Sequence, residues 1–115
     1  SMDINTLFKS NYLKASDFPQ ARVMVIARLV IEPVGQDKEE KPVLYFRGED
    51  RGLVLNRTNA AMIAHAHGTD TDRWPGKVVE LRSEPVSFQG KIVDSIRVRG
   101  VTPAAVDDFN DDIVF

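Results

Sequence analysis

The chain has 115 residues, of which 43% are hydrophobic and 28% are charged, and it contains no cysteine. Its length predicts a single domain, and the lack of cysteine excludes a disulfide scaffold, a thiolate metal site and a cysteine nucleophile. No apolar run approaches the ~20 residues that cross a bilayer, and the first residues predict no secretory signal. We therefore expect a soluble, cytoplasmic protein with no membrane partner.

The net charge of −2 hides an uneven distribution of charge along the chain. Four of the 17 acidic residues lie within the last nine residues, and residues 1–106 carry 15 basic and 13 acidic side chains. The chain is thus a mildly basic body of net charge +2 followed by an acidic tip. A body charge of +2 is far below that of the strongly basic domains in which charge alone indicates nucleic-acid binding.

Changes in residue pattern divide the chain into three parts. Residues 1–20 form an N-terminal arm, in which apolar residues at loosely helical spacing predict a short helix or a packed segment. Residues 21–101 form the folded body, and residues 102–115 form the acidic tail. The body has no internal repeat, so its fold is predicted from the periodicity of its segments.

Period-two alternation predicts five β-strands in the body, and a switch to helical spacing predicts one helix. The strands are predicted at 21–31, 42–47, 53–56, 77–88 and 91–99, and the helix at 59–68. Asn56 or Thr58 is expected to cap the start of the helix, and Gly68 to end it. This order predicts a mainly β protein, a five-stranded Greek-key barrel of the oligonucleotide/oligosaccharide-binding (OB) type with its helix between strands three and four. An open five-stranded sheet with one helix has the same order and is the alternative.

The alternation along each strand also predicts which side chains face the core. The residues expected in the core from strands two and five are Leu44, Phe46, Ile92, Ile96 and Val98. The residues expected to face outward are Arg22, Met24 and Arg28 on strand one, Tyr45 and Arg47 on strand two, and Arg97 and Arg99 on strand five. These assignments predict that several arginines and one tyrosine share a single outward sheet face.

Arginines and aromatic rings on one face are typical of single-strand binding, because cations contact phosphates while rings stack on bases. Trp74, in a loop, is a further stacking candidate, although closing the bottom of a barrel is its alternative role. Arginines on exposed strands also serve as ordinary solubilising residues, and that alternative stays open. The candidate DNA-binding residues are Arg28, Tyr45, Arg47, Trp74, Arg97 and Arg99.

The sequence predicts no catalytic site, no cofactor and no metal site. It contains no Walker loop, glycine fingerprint or serine–histidine–aspartate set. His65 and His67 are two residues apart on the predicted helix, so their imidazoles point in nearly opposite directions and do not share an ion. We therefore predict a binding protein rather than an enzyme; a small nuclease, disfavoured by the lack of an acid cluster, is the weakest alternative.

The last nine residues combine an acidic run with large apolar side chains and the terminal carboxylate of Phe115. This tip resembles the C-terminal peptide of bacterial single-stranded DNA-binding proteins, which ends in acidic residues followed by Ile, Pro and Phe. The matching residues are Asp111, Asp112, Ile113 and Phe115, and Val114 stands where the family has proline. The resemblance implies that the tip docks on replication, recombination and repair enzymes while the barrel holds single-stranded DNA.

The body resembles a set of short phage and prophage proteins of uncharacterised or presumed DNA-binding role. The segments that carry this likeness are Gly52–Asn56, Thr58–Ala60, Asp70–Lys77 and Gly90–Val98. The resemblance implies a bacteriophage origin and an OB-like fold, and it assigns no chemistry.

The sequence therefore predicts a phage-type single-stranded DNA-binding protein. Its expected partners are single-stranded DNA on the barrel and host or phage replication and repair enzymes at the tip. The alternative is an interaction or inhibitor protein that engages host replication enzymes through the tip and binds no DNA. Whether the chain forms a homo-oligomer is left open.

Overall fold

The computed structural model of the chain describes residues 11–102. Within this range the chain forms five β-strands, one α-helix and two short 3-10 turns, so the predicted order of three strands, a helix and two strands is confirmed. The strands are β1 (Arg22–Val34), β2 (Glu39–Phe46), β3 (Leu53–Val54), β4 (Val78–Phe88) and β5 (Lys91–Val101). The helix α1 spans Arg57–His67, and the 3-10 turns span Ala15–Asp17 and Thr71–Arg73.

All five strands belong to one antiparallel sheet in the order β3-β2-β1-β4-β5. The long strand β1 is shared between two ladders: its first part, residues 22–25, pairs with β4, and residues 26–34 pair with β2. The protein is therefore mainly β, with one sheet whose two halves meet along β1.

A β-bulge at Ala27 changes the face on which the side chains of β1 lie. Ile26 is opposite Phe46 but Arg28 is opposite Tyr45, so β1 carries one extra residue between these pairs. Before the bulge Met24 is buried, whereas Val23 is 63% exposed. The expectation that Met24 faces outward beside Arg28 was therefore wrong, because uniform alternation does not allow for an inserted residue.

The core lies between one face of the sheet and α1. Leu44, Phe46, Ile96 and Val98 are buried in it, as expected. Ile92 is instead 73% exposed, because it lies near the end of the β4–β5 hairpin, beyond the residues that α1 and the N-terminal segment cover. The alternation thus gave the correct face for strand five but not the point at which the core ends.

The N-terminal segment packs on the sheet rather than extending from it. Leu13 and Phe18 are buried in the core, and the Leu13 N–H donates to the Gly52 carbonyl over 2.8 Å. Tyr12 forms an isolated parallel bridge with the same glycine. Of the predicted arm, residues 11–20 therefore belong to the folded body, and residues 1–10 lie outside the described range.

The helix begins at an Asn56 cap, whose side-chain oxygen accepts from the Asn59 N–H, and ends at Gly68 with a φ of 87°. Buried Asn59 joins α1 to β5: its amide donates to the Ile96 carbonyl over 3.0 Å and accepts from the Val98 N–H over 3.2 Å. These bonds satisfy backbone groups on the edge of β5 that pairs with no other strand within residues 11–102. No helix within residues 11–102 is long and apolar enough to cross a membrane.

Candidate nucleic-acid interface

The face of the sheet opposite the core, called the outer face below, carries the candidate residues on β1, β2 and β5. On β1 and β2, Arg28 and Tyr45 are direct cross-strand partners. The Arg28 guanidinium carbon lies 4.4 Å from the centre of the Tyr45 ring, which is the geometry of a cation–π contact. The bulge at Ala27 allows this contact, because it brings Arg28 to the outer face while Ile26 remains in the core.

Glu32 fixes two tyrosines on the outer face. The Tyr45 hydroxyl donates to Glu32 Oε1 and the Tyr12 hydroxyl donates to Glu32 Oε2, both over 2.7 Å. Hydrogen bonding by these hydroxyls, that of Tyr45 most strongly, lowers the pKa of Glu32. The hydrogen bond that each hydroxyl makes to Glu32 raises the pKa of Tyr12 to about 12 and also raises the pKa of Tyr45. The stable state is therefore an ionised carboxylate between two neutral phenols.

Arg47 follows β2 by one residue and is exposed. Its backbone N–H donates to the Val25 carbonyl over 2.9 Å, which continues the pairing of β2 with β1. Its guanidinium reaches towards the turn at Gly76 that precedes β4. Among the ion pairs found within residues 11–102, none involves Arg28 or Arg47.

The arginines of β4 and β5 are paired with glutamates. Arg99 Nε lies 3.0 Å from the Glu80 carboxylate of the opposite strand position. Arg82 and Arg97 face each other across the strands and lie 3.4 and 3.7 Å from the Glu84 carboxylate. This side of the outer face therefore alternates in charge instead of presenting a row of unpaired cations.

Trp74 is placed in the core. Its side chain is 2% exposed, and its indole Nε1 donates to the Gly68 carbonyl over 2.9 Å. A ring enclosed in this way has no accessible face for a base, so the interpretation of Trp74 as a stacking residue needs correcting. Trp74 instead packs in the hydrophobic core, close to the end of α1.

Sequence reasoning missed Glu32 and Tyr12. Glu32 could have been found, since it lies on the same face of β1 as Arg28, four residues further along the strand. Tyr12 gave no such signal, because it lies in an irregular segment and meets Glu32 across 20 residues of sequence. Together, Glu32 and Tyr12 hold Tyr45 and Arg28 in a fixed cluster of four side chains.

The two histidines of α1 are in different surroundings. His67 Nε2 lies 2.8 Å from the Val78 carbonyl and connects the end of α1 to the start of β4, whereas His65 is exposed. Within residues 11–102 no group of three or more histidine, aspartate or glutamate side chains could hold a metal ion.

The predicted partner-binding residues of the tip, Asp111, Asp112, Ile113 and Phe115, lie outside the described residues. Between residues 11 and 102 the chain carries 14 basic and 12 acidic side chains, a net charge of +2.

Comparisons with protein-family models, with curated proteins and with solved structures found no significant match to this chain.

Proposed function

We propose that this chain is a single-stranded DNA-binding protein of phage type that holds DNA on the outer face of β1 and β2. The observation that carries this proposal is the contact of Arg28 with the ring of Tyr45 at 4.4 Å, beside the exposed Arg47. The Arg28 guanidinium stacked on the fixed Tyr45 ring offers a planar surface for bases. Arg28 and Arg47, which are in none of the ion pairs found within the described chain, offer charge for phosphates.

We also propose that the sheet curves into an OB-type barrel. In such a barrel the two edge strands of the order β3-β2-β1-β4-β5 lie side by side, with the helix across one end. Two features support closure: α1 follows directly after β3 and is bonded to β5 through Asn59, and residues of both edge strands line one cavity of about 240 Å³. A closed barrel would leave the outer face as the continuous binding surface.

For the C-terminal tip, the proposal rests on the sequence. Asp111, Asp112, Ile113 and Phe115 are proposed to recruit host or phage enzymes of replication, recombination and repair. The acidic residues would be attracted to a basic rim, while the Phe115 ring and terminal carboxylate enter an apolar pocket beside a cation. No catalytic role is proposed for the chain.

The second candidate is an interaction or inhibitor protein that uses the tip but binds no DNA. The observation in its favour is the pairing of Arg97 and Arg99 with Glu84 and Glu80, which neutralises much of the charge on β5. The two candidates differ in one measurable property, the affinity of the body for a single strand.

A fluorescence titration of the full chain with a labelled dT oligomer at low salt tests the proposed function. We expect binding that weakens steeply with salt, since phosphate contacts release counterions. A variant lacking residues 107–115 is the matched control, and we expect it to bind more tightly because the tip aspartates no longer compete with phosphate. Absence of binding by both proteins would contradict the proposal and favour the second candidate.

Phe115→Ala tests the role of the tip separately. We expect it to abolish binding to a host enzyme that recognises such tips, because both the apolar anchor and its fit beside the carboxylate are lost. The thermal unfolding temperature should stay unchanged, since docking on a partner and not folding is the proposed role. A clear decrease in that temperature would mean that Phe115 packs on the body, and the resemblance would then be coincidental.

A further inference from the structure

The end of the β4–β5 hairpin and the start of α1 border an open cavity of about 520 Å³. Val86, Phe88 and Val93 of the hairpin line it, together with Arg97 of β5 and Arg57 at the first position of the helix. Its volume is within the range of about 300–1,000 Å³ that is typical of small-ligand pockets in proteins. No residue of β1 or β2 lines this cavity, so it is separate from the Arg28–Tyr45 contact.

The hairpin side of the cavity is apolar and exposed. Phe88 is 59% exposed and Val93 is 39% exposed, although both lie on a regular two-stranded ladder. The turn that joins the strands, Gln89 and Gly90, has a positive φ at both residues, which suits the right-handed twist of a tight hairpin. An aromatic ring held at a tight hairpin turn is a surface on which a base can stack.

The charged side chains of the cavity lie at the start of α1 and on β5. None of the ion pairs found within residues 11–102 involves Arg57, and the Arg97 side chain keeps 23% exposure next to Glu84. Asp94 also lines the cavity and opposes the two arginines with one negative charge. Glu84 lies 3.7 Å from Arg97 and offsets part of its charge, so Arg57 is the main cation of the cavity. An apolar wall beside this cation suits the base and the phosphate of a nucleotide.

We propose that this cavity binds one nucleotide of a single-stranded DNA, with its base on Phe88 and its phosphate beside Arg57 and Arg97. The inference rests on the proposed function and extends the DNA path from β1 and β2 across the sheet to the hairpin. Arg97 belongs both to the cavity and to the outer face, so it connects the two parts of the path.

Binding of a labelled dT oligomer to the full chain, measured by fluorescence anisotropy over a salt series, tests this site. We expect Phe88→Ala to weaken binding about five- to a hundredfold without changing the salt slope, because stacking is not an ionic contact. We expect Arg57→Ala to weaken binding and to flatten the salt slope by about 0.7, the value for one phosphate contact on a single strand.

Two exposed side chains outside the cavity give matched controls. Ile31→Ala removes an apolar residue that is 58% exposed, and Arg73→Ala removes an arginine whose side chain is 82% exposed. Both controls should bind DNA like the unaltered chain. Tyr45→Ala is measured alongside them, because it reports on the face of β1 and β2 and not on the cavity.

The outcomes separate this inference from the function on which it rests. If Phe88→Ala and Arg57→Ala bind like the unaltered chain while Tyr45→Ala weakens binding, the cavity takes no nucleotide and the proposed function stands. Equal weakening by the controls would also overturn the inference, since the loss would then be unspecific. If the unaltered chain does not bind dT oligomers at all, both proposals are wrong.

Discussion

The two halves of the outer face carry the same residue type in different electrostatic surroundings. On β1 and β2, Arg28 stacks on Tyr45 at 4.4 Å, and no ion pair within residues 11–102 involves it or Arg47. On β5, Arg97 and Arg99 lie 3.7 and 3.0 Å from glutamate carboxylates. An outward position is therefore only the first requirement for a phosphate contact, since a neighbouring carboxylate already satisfies part of an arginine's charge.

This difference predicts that the two halves of the outer face both contribute to the affinity for DNA, but unequally. Exposed ion pairs typically contribute about 0–1 kcal/mol to stability, so a phosphate can replace the glutamate of Arg99, which is half exposed. Replacing a glutamate with a phosphate gains less binding free energy than a phosphate contact with an arginine that has no ion pair, because one favourable interaction is lost for each one formed. We therefore expect β1 and β2 to supply most of the affinity.

The largest effect is expected from removing the ring at the centre of the β1–β2 half. Tyr45→Ala should reduce the affinity for a dT oligomer by roughly 1–3 kcal/mol, the range found for base–aromatic stacking, with little change in the salt slope. Tyr45→Phe is the matched control, since it keeps the ring and loses only the hydrogen bond to Glu32. Affinity that is unchanged in Tyr45→Ala would move the binding face away from β1 and β2.

A smaller effect, on the salt dependence, compares the two halves directly. Replacing Arg28 and Arg47 together with Ala should flatten the salt slope by about 1.4, because two phosphate contacts on a single strand are lost. Replacing Arg97 and Arg99 together should flatten it by less, since both are already paired with glutamates. The slope is obtained from anisotropy titrations at several salt concentrations.

Arg28→Lys refines this comparison, because lysine keeps the charge of Arg28 but not its planar stacking on Tyr45. It should keep the salt slope of the unaltered chain and lose part of the affinity. The prediction would be wrong if replacing Arg97 and Arg99 flattened the salt slope more than replacing Arg28 and Arg47. DNA would then follow β5, and the phosphates would displace the glutamates from the β5 arginines.

Much of the fold was predictable, since it depends on patterns that the sequence carries locally. The switch from period two to helical spacing and the turn at Gln89-Gly90 marked the strands and the helix. The phase of β1 was not predictable from alternation, because the bulge at Ala27 depends on how β1 pairs with two different strands. The burial of Trp74 likewise depends on the hydrogen bond from its indole to the carbonyl of Gly68, the residue that ends α1. The position of Trp74 in a loop of the sequence does not reveal this bond.

The candidate site was predictable in its residue types and in only part of its pairing. The two-residue turn at Gln89-Gly90 fixes the register of the hairpin, and that register places Glu80 opposite Arg99. The neutralisation of Arg99 could therefore have been predicted from the sequence. The contact between Tyr12 and Glu32 could not, since it forms only when the N-terminal segment docks at Gly52.

The smallest expected effect concerns the pH dependence of stability that the Tyr12–Glu32–Tyr45 cluster adds to the β1–β2 half. The pKa of Glu32 is lowered by its tyrosine partners, so its contribution to the free energy of unfolding is present above its ordinary pKa of 4.5 and is lost as pH falls through the folded pKa. Glu32→Gln should flatten the acid side of the stability profile, measured by urea unfolding. Asp17 and Glu49, whose pKa values are also lowered, keep the remaining acid dependence.

On the alkaline side the sign is opposite. The pKa of Tyr12 is raised from 10.0 to about 12, so its contribution is present below pH 10 and is lost as pH rises towards 12. Tyr12→Phe should therefore flatten the stability profile between these values, while the raised pKa of Tyr45 leaves a residual slope. If both tyrosines act mainly through Glu32, Tyr12→Phe should change the alkaline slope much less in a Glu32→Gln background, where only burial and Tyr45 still raise the pKa of Tyr12. An undiminished effect of Tyr12→Phe in that background would mean that Tyr12 acts independently of the Glu32 carboxylate, and the cluster would not act as one unit.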